Sequence, residues 1–151
     1  MALNPQYDAI GKGFVQQYYA LFDDPVQRAS LANMYNVETS FMTFEGVQLQ
    51  GSLKIMEKLN SLMFQKIHRI ITAVDSQPTF DGGVLINVLG RLKVSLKYFK
   101  FTASSSIYFF ILFQCDEDPP HAYMQTFVLK PLGESFYVQH DIFRLSIHDA
   151  A

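Results

Sequence analysis

The chain has 151 residues, of which 49% are hydrophobic and 17% charged, and its formal net charge is −2. This size and composition fit one domain over residues 1–151 with a substantial core. The near-neutral charge, without a Lys/Arg cluster, argues against nucleic acid or a membrane surface as a partner.

The single cysteine, Cys115, excludes an internal disulfide and a multi-cysteine zinc site; no metal or cofactor is expected. The N-terminus lacks a signal-peptide pattern, so we expect an intracellular protein.

The first 35 residues predict two helices. Asn4-Pro5 pairs a capping residue with the residue favoured at the first helical position, and the helix that it opens is expected to end near Asp23. Asp24-Pro25 repeats this signal before a short second helix. The apolar residues of the first helix recur at spacings of three or four and predict its buried stripe. They are Tyr7, Ile10, Phe14, Tyr18 and Leu21.

A strand and a third helix are expected next. The strand covers residues 38–43 and is followed by a turn at Glu45-Gly46. Gly51-Ser52 then opens a helix whose residues Leu53, Met56 and Leu59 are expected to face inward.

Residues 64–93 predict a β-hairpin, with strands over 64–79 and 84–93 joined by Asp81-Gly82-Gly83. Because strand side chains alternate between faces, Val84, Ile86, Val88 and Leu92 share one face. The other face takes Leu85, Asn87, Leu89 and Arg91. Both faces are too apolar to meet water, so we expect the helices to cover one and a second subunit to cover the other.

Residues 122–130 and 135–145 predict two further strands around the turn at 131–134. Helices therefore come first along the chain and the sheet follows. This order predicts an α+β fold in which a curved antiparallel sheet wraps three N-terminal helices on its concave side.

The segment 94–114 does not fit this scheme, because it is rich in aromatic residues around a Ser104-Ser105-Ser106 centre. One interpretation is a loop that changes partner choice. The other, which the residues favour, is an intron retained in frame. Val94-Ser95 can be encoded by a splice donor, Phe113-Gln114 by an acceptor, and the Phe, Ile, Lys and Tyr bias suits an AT-rich intron.

A set of short motifs spread along the whole chain resembles the nuclear transport factor 2 family. The resemblance is collinear and is interrupted at 94–114, since Lys93 and Cys115 would be neighbours in the family pattern. The motifs are Pro5, Ile10-Gly11, Phe14, Tyr18-Tyr19, Leu21-Phe22-Asp23, Thr43-Phe44-Glu45-Gly46, Phe64-Gln65-Lys66-Ile67, Asp75-Ser76-Gln77-Pro78, Gly90-Arg91-Leu92-Lys93, Asp116-Glu117-Asp118-Pro119 and Asp141-Ile142-Phe143-Arg144-Leu145.

This resemblance implies a cone-like fold and a homodimeric carrier. Such a carrier binds the GDP form of the small GTPase Ran and the phenylalanine-glycine repeats of nuclear pore proteins, and it returns Ran to the nucleus. It would be found in the cytoplasm, the nucleus and the nuclear pore. No enzymatic activity is implied.

The resemblance also implies where Ran binds. An aromatic side chain of the GTPase enters an apolar cavity at the open end of the cone, and acidic residues around the mouth pair with basic groups beside it. Glu45, Asp116 and Asp118 match the acidic rim, and Phe44 and Phe143 match the lining. By themselves, an acidic turn is usually solvated and two phenylalanines are usually core residues.

Four more positions take roles from the resemblance. Arg69 matches a rim position that is His in the family. Tyr7 matches an aromatic position, commonly Trp, that packs against the repeat phenylalanines, although a tyrosine on a helical stripe is more often a core residue. Asn87 and Ile142 map to the sheet face used for dimerisation.

The alternative is an isomerase or dehydratase, because the same fold hosts enzymes that place Asp, His or Tyr inside the cavity. His140-Asp141 is the candidate pair for general acid–base chemistry. Asp141 in a closed apolar pocket beside another titratable group would favour an enzyme. A shallow cavity ringed by Glu45, Asp116 and Asp118 would favour a binding protein.

Overall fold

The computed structural model describes residues 2–62, 66–95 and 120–146, without the side chains at 66, 94 and 95. Apart from the backbone of Val94 and Ser95, the segment 94–114 lies outside the described residues. The elements in chain order are helix α1 (Tyr7–Asp23), a 3₁₀ helix (Arg28–Met34), strands β1 (Phe41–Phe44) and β2 (Val47–Gln50), helix α2 (Ser52–Ser61), and strands β3 (Lys66–Pro78), β4 (Val84–Ser95), β5 (His121–Leu132) and β6 (Ser135–Leu145). The predicted α+β class with three helices is confirmed.

Helix α1 begins later than predicted. The Asn4 side chain accepts a hydrogen bond from the backbone N–H of Gln6 at 2.9 Å, and this local turn delays the first helical residue to Tyr7. The buried stripe is also rotated from the prediction, because Gly11 lets the helix approach the sheet so closely that a Cβ there would clash with Ser76. The buried residues are Gly11, Val15, Tyr18, Tyr19 and Phe22, and the other predicted stripe residues are half-buried beside them.

The expected strand over 38–43 begins only at Phe41. The side chain of Asn36 accepts hydrogen bonds from the N–H groups of Glu38 and Thr39, both at 2.9 Å, which folds this stretch into a turn. Glu45 and Gly46, with φ of 49° and 85°, then reverse the chain into β2, which the sequence analysis did not predict. The predicted order, with the helices first and the sheet afterwards, is therefore wrong, because the β1–β2 hairpin precedes helix α2.

Helix α2 begins at Ser52 as predicted, but one of its three inward assignments is wrong. Leu53 is 76% exposed, whereas Ile55 is fully buried together with Leu59. The helical period that buries Ile55, Met56 and Leu59 turns Leu53 toward solvent.

The strands form one curved, unclosed sheet in the order β2-β1-β6-β5-β4-β3. All neighbours are antiparallel except β1 and β6, which are parallel, so the expectation of a purely antiparallel sheet is wrong. The direction of β6 is set by the meander from β3 through β5. Strand β1 reaches the sheet separately, from the helices, and its pairing is not constrained by a hairpin with β6.

The predicted hairpin is confirmed as β3 and β4. Its turn is closed by the N–H of Thr79, which donates to the carbonyl of Gly83 at 3.0 Å. The inner face of β4 is fully buried at Val84, Ile86 and Val88 and packs toward the helices. Its outer face leaves Leu85 36% and Leu89 42% exposed. The helices thus cover one face, as expected.

Candidate functional site

A small cavity lies between the helices and the inner face of the sheet, near the start of β3 and the end of β4. Its volume is about 20 Å³, which is enough for a water molecule and too small for an aromatic ring. Apolar and aromatic side chains from α1, α2 and four strands make most of the wall, and the polar residues there are Tyr18, Arg69 and Gln125. The cavity is therefore small and almost filled by the chain's own side chains.

Phe44 and Phe143 both line this cavity. The parallel register of β1 and β6 makes them direct neighbours, and their rings stack with centroids 4.9 Å apart at an angle of 9°. They are 4% and 5% exposed. The structure thus brings the two predicted lining residues together, and their role in binding Ran stays a prediction.

Glu45 follows Phe44 directly and lies in the turn between β1 and β2. Its carboxylate accepts a short hydrogen bond from the backbone N–H of Leu145 at the end of β6. Its own N–H donates to the carbonyl of Phe143 at 3.1 Å. These bonds fix a half-exposed acidic side chain beside the two aromatic lining residues. Asp116 and Asp118 lie outside the described residues, so their place on the rim stays a prediction.

Arg69 lies in the cavity wall, with only 5% of its side chain exposed. Its guanidinium forms a bidentate pair with Asp23, in which the closest nitrogen and oxygen are 2.7 Å apart. Burial lowers the pKa of Arg69, but the hydrogen bond and charge of Asp23 raise it by more, so the guanidinium stays charged. The sequence analysis missed Asp23, because nothing in the spacing of residues 23 and 69 links them.

A buried polar network lies directly beneath the cavity, centred on Asp141, which is 1% exposed. One carboxylate oxygen accepts from the hydroxyls of Tyr35 at 2.8 Å and Tyr18 at 3.2 Å, and the other accepts from the Gln125 amide at 2.9 Å. Tyr19 donates in turn to Gln125 at 2.8 Å. Burial raises the pKa of Asp141 to about 6, against the opposing effect of these donors.

The pair proposed for an enzyme does not form. His140 is exposed on the outer face of β6, where its ring stacks with Phe41 at 6.1 Å. Asp141, the next residue, points to the inner face, as strand alternation requires. Asp141 does not line the cavity, and its two oxygens are occupied by donors from the chain. The structure therefore leaves no open space beside the Asp141 carboxylate in which a substrate could meet it as a general base.

Tyr7 and Asn87, which the sequence analysis assigned to different functions, line the same surface groove. The groove has a volume of about 550 Å³ and also takes in Asp8, Asp75 and Leu85. Asn87 accepts a hydrogen bond from the Thr126 hydroxyl at 3.0 Å. The groove is continuous with the outer face of the sheet, because Leu85 and Asn87 belong to both.

The outer face of the sheet carries an exposed apolar patch. Thr126 is in register with both Asn87 and Ile142, so these two residues lie in one row across β4, β5 and β6. We call the exposed apolar residues around this row the outer patch. They are Phe41 at 45%, Leu85 at 36%, Leu89 at 42%, Met124 at 48% and Ile142 at 50% exposed.

The residues that the structure describes contain no cluster of potential metal ligands and no helix that could span a membrane. No three His, Cys, Asp or Glu side chains there come close enough together to hold a metal ion. No helix in those ranges combines the length and the apolar character needed to cross a membrane.

Comparisons with known proteins agree with the architecture. The chain matches the Nuclear transport factor 2 (NTF2) domain family over residues 10–107 and 105–145, and the two matched stretches meet within 94–114. It is 38% identical to nuclear transport factor 2 of Saccharomyces cerevisiae, over 93% of this chain and 94% of the yeast protein. The solved structure of nuclear transport factor 2 from Cryptosporidium parvum has a TM-score of 0.77 at 35% identity, covering 97% and 99% of the two chains.

The fold also occurs among proteins with other names. A Streptomyces avermitilis protein described as a dehydratase of the NTF2-like family has a TM-score of 0.68, covering 96% of this chain and all of that one, but only 9% identity. Such a likeness shows the fold alone. The yeast and Cryptosporidium parvum proteins, which share a third or more of their sequence with this chain over nearly its whole length, both carry the transport factor name. The chain therefore belongs to the nuclear transport factor 2 family.

Proposed function

We propose that the chain is a carrier that binds the GDP form of Ran and returns it to the nucleus. A role in nuclear transport is supported by relatives that are themselves named nuclear transport factor 2. The observation that supports Ran as cargo is the pair of stacked phenylalanines in a small cavity with Glu45 fixed beside it. On this proposal the chain works in the cytoplasm, the nucleus and the pore between them.

The cavity receives an aromatic side chain of Ran. Burying such a side chain contributes about 1.5–3 kcal/mol. Because the cavity volume is only about 20 Å³, the side chains that line it must move apart to admit the ring. Rim carboxylates, Glu45 and the predicted Asp116 and Asp118, steer and select the basic surface around that ring.

The proposal is tested by a pull-down with purified Ran. The immobilised chain should retain Ran loaded with GDP and should not retain Ran loaded with GTP. Equal retention of both forms would refute the preference for GDP-loaded Ran. Retention of neither form would refute the proposal that Ran is the cargo.

A homodimer forms through the outer patch. Exposed apolar side chains over four neighbouring strands are the feature that such an interface buries. Replacing Ile142, at the centre of the patch, with Asp should shift the sedimentation profile from dimer to monomer, because each interface would then bury unpaired charge. Leu53→Asp is the control, since Leu53 is also an exposed apolar residue, at 76% against 50% for Ile142, but lies on α2. An unchanged profile for Ile142→Asp would refute this interface.

Phenylalanine-glycine repeats bind in the groove that holds Tyr7. An aromatic ring in a groove of about 550 Å³ can pack against a repeat phenylalanine. The groove borders the outer patch at Leu85 and Asn87, so a second subunit docked on the patch would form its other side. Repeat binding and dimerisation are thereby coupled.

A further inference from the structure

Arg69 is held in one orientation at the cavity wall. Its Nε atom donates to Asp23 Oδ2 at 3.0 Å and its Nη2 atom donates to Oδ1 at 2.7 Å. The guanidinium carbon lies 3.8 Å from the ring centroid of Tyr19 and 5.0 Å from that of Tyr123. A planar group that is paired along one edge and stacked on aromatic faces is pre-organised.

The remaining nitrogen of this guanidinium is Nη1. It is buried and has no hydrogen-bond partner among the residues that the structure describes. The other polar groups on the cavity wall are already committed: the Gln125 amide pairs with Tyr19 and Asp141, and the Tyr18 hydroxyl pairs with Tyr35 and Asp141. A buried charged donor without an acceptor is unfavourable. Nη1 therefore requires an acceptor at this wall.

The residues of the cavity wall determine which chemical groups can bind in the cavity. A plain hydrocarbon ring would match the aromatic lining but would leave Nη1 without an acceptor. A ring that bears an oxygen atom, or the ring of an aromatic residue whose backbone carbonyl lies beside it, would match the lining and also give Nη1 an acceptor. A cationic group would be repelled by the guanidinium.

We propose that Arg69 and Asp23 form a specificity element of the cavity. Arg69 Nη1 donates a hydrogen bond to an oxygen acceptor beside the entering aromatic ring, and Asp23 is the residue that positions Arg69. The oxygen is either a phenol hydroxyl on the ring or a backbone carbonyl adjoining it. This inference rests on the proposed use of the cavity by an aromatic side chain, and it adds the chemical requirement that the side chain must meet.

Small aromatic probes test this requirement on the full chain without Ran. Toluene has no oxygen acceptor, p-cresol carries a phenol hydroxyl, and N-acetylphenylalaninamide carries backbone carbonyls. Their dissociation constants would be measured by NMR titration for the unsubstituted chain and for Arg69→Lys, which keeps a positive charge for Asp23 but has a single nitrogen. Opening of the cavity is common to all three probes, so it largely cancels when preferences are compared between variants.

The preference for an oxygen-bearing probe over toluene should be about tenfold larger in the unsubstituted chain than in Arg69→Lys. A preference confined to p-cresol identifies the hydroxyl as the acceptor, and one confined to N-acetylphenylalaninamide identifies the carbonyl. Asp23→Asn should reduce the preference when Arg69 is present and leave it unchanged in Arg69→Lys. A merely structural role for Asp23 would not produce this dependence.

Arg91→Lys is the matched control, because it makes the same substitution at an exposed arginine on the outer side of β4, outside the cavity wall. It should retain the full preference. The inference is overturned if Arg69→Lys shows the same preference as the unsubstituted chain, or if no probe binds. Since Ran is absent from this experiment, its failure is distinct from a failure of the chain to bind Ran.

Discussion

Replacement of Asp141 with alanine is expected to lower the free energy of unfolding by about 3–5 kcal/mol. The substitution removes the acceptor of three buried donors, from Tyr18, Tyr35 and Gln125, and leaves a void among them. Urea denaturation at neutral pH measures the change. A loss below about 1 kcal/mol would mean that water or relaxation satisfies these donors and that the network does not hold the sheet against α1.

Asparagine at position 141 provides the control, because it keeps the shape and an acceptor while removing the charge. The pKa of Asp141 is raised by burial from 3.8 to about 6, so folding favours its protonated form. Protonation of Asp141 adds stability that is complete below about pH 4 and is lost as the pH rises through about 6, which lowers the free energy of unfolding by about 3 kcal/mol over that range. Asp141→Asn should lack this decline. If both chains showed the same decline, Asp141 would not be the titrating group.

Replacement of Glu45 with lysine should weaken binding of Ran-GDP by about 2–5 kcal/mol, measured by calorimetry. The proposed rim faces basic groups of Ran, and a lysine there places like charges together. The substitution also removes the acceptor of the Leu145 N–H, which is a structural effect.

Glu45→Gln separates these two effects, since its amide oxygen can still accept from Leu145. We expect it to weaken binding by about 1 kcal/mol and to reduce the salt dependence, because only the charge is lost. Full affinity in both variants would remove Glu45 from the site.

The regular elements could be predicted because their signals are local. The alternation of Val84, Ile86 and Val88 and the turn at Asp81-Gly82-Gly83 define the central hairpin without any tertiary information. The same holds for helix α2, where Gly51-Ser52 marks the start. Local rules also explain the errors, since a side chain such as Asn36 can accept hydrogen bonds from the backbone of the residues that follow it and fold into a turn a stretch that otherwise looks extended.

The interior of the site could not be predicted, because it depends on pairs that are distant in sequence. Asp141 meets Tyr18 and Tyr35 across more than a hundred residues, and Asp23 meets Arg69 across 46. Nor does any local pattern indicate that β1 pairs with β6 in parallel, which is the register that stacks the two lining phenylalanines. Their assignment to the cavity came from the family resemblance, and their contact with each other came from the structure.

The most direct test is to map the surface of the chain that changes when Ran binds. Amide resonances of the isotope-labelled chain would be followed by NMR during titration with Ran-GDP and, separately, Ran-GTP. We predict that the resonances of Phe44, Glu45, Phe143 and Leu145 shift or broaden with Ran-GDP alone, while those of the turn at Asp81-Gly82-Gly83 do not. Changes at that turn with none around the cavity would contradict the proposed site.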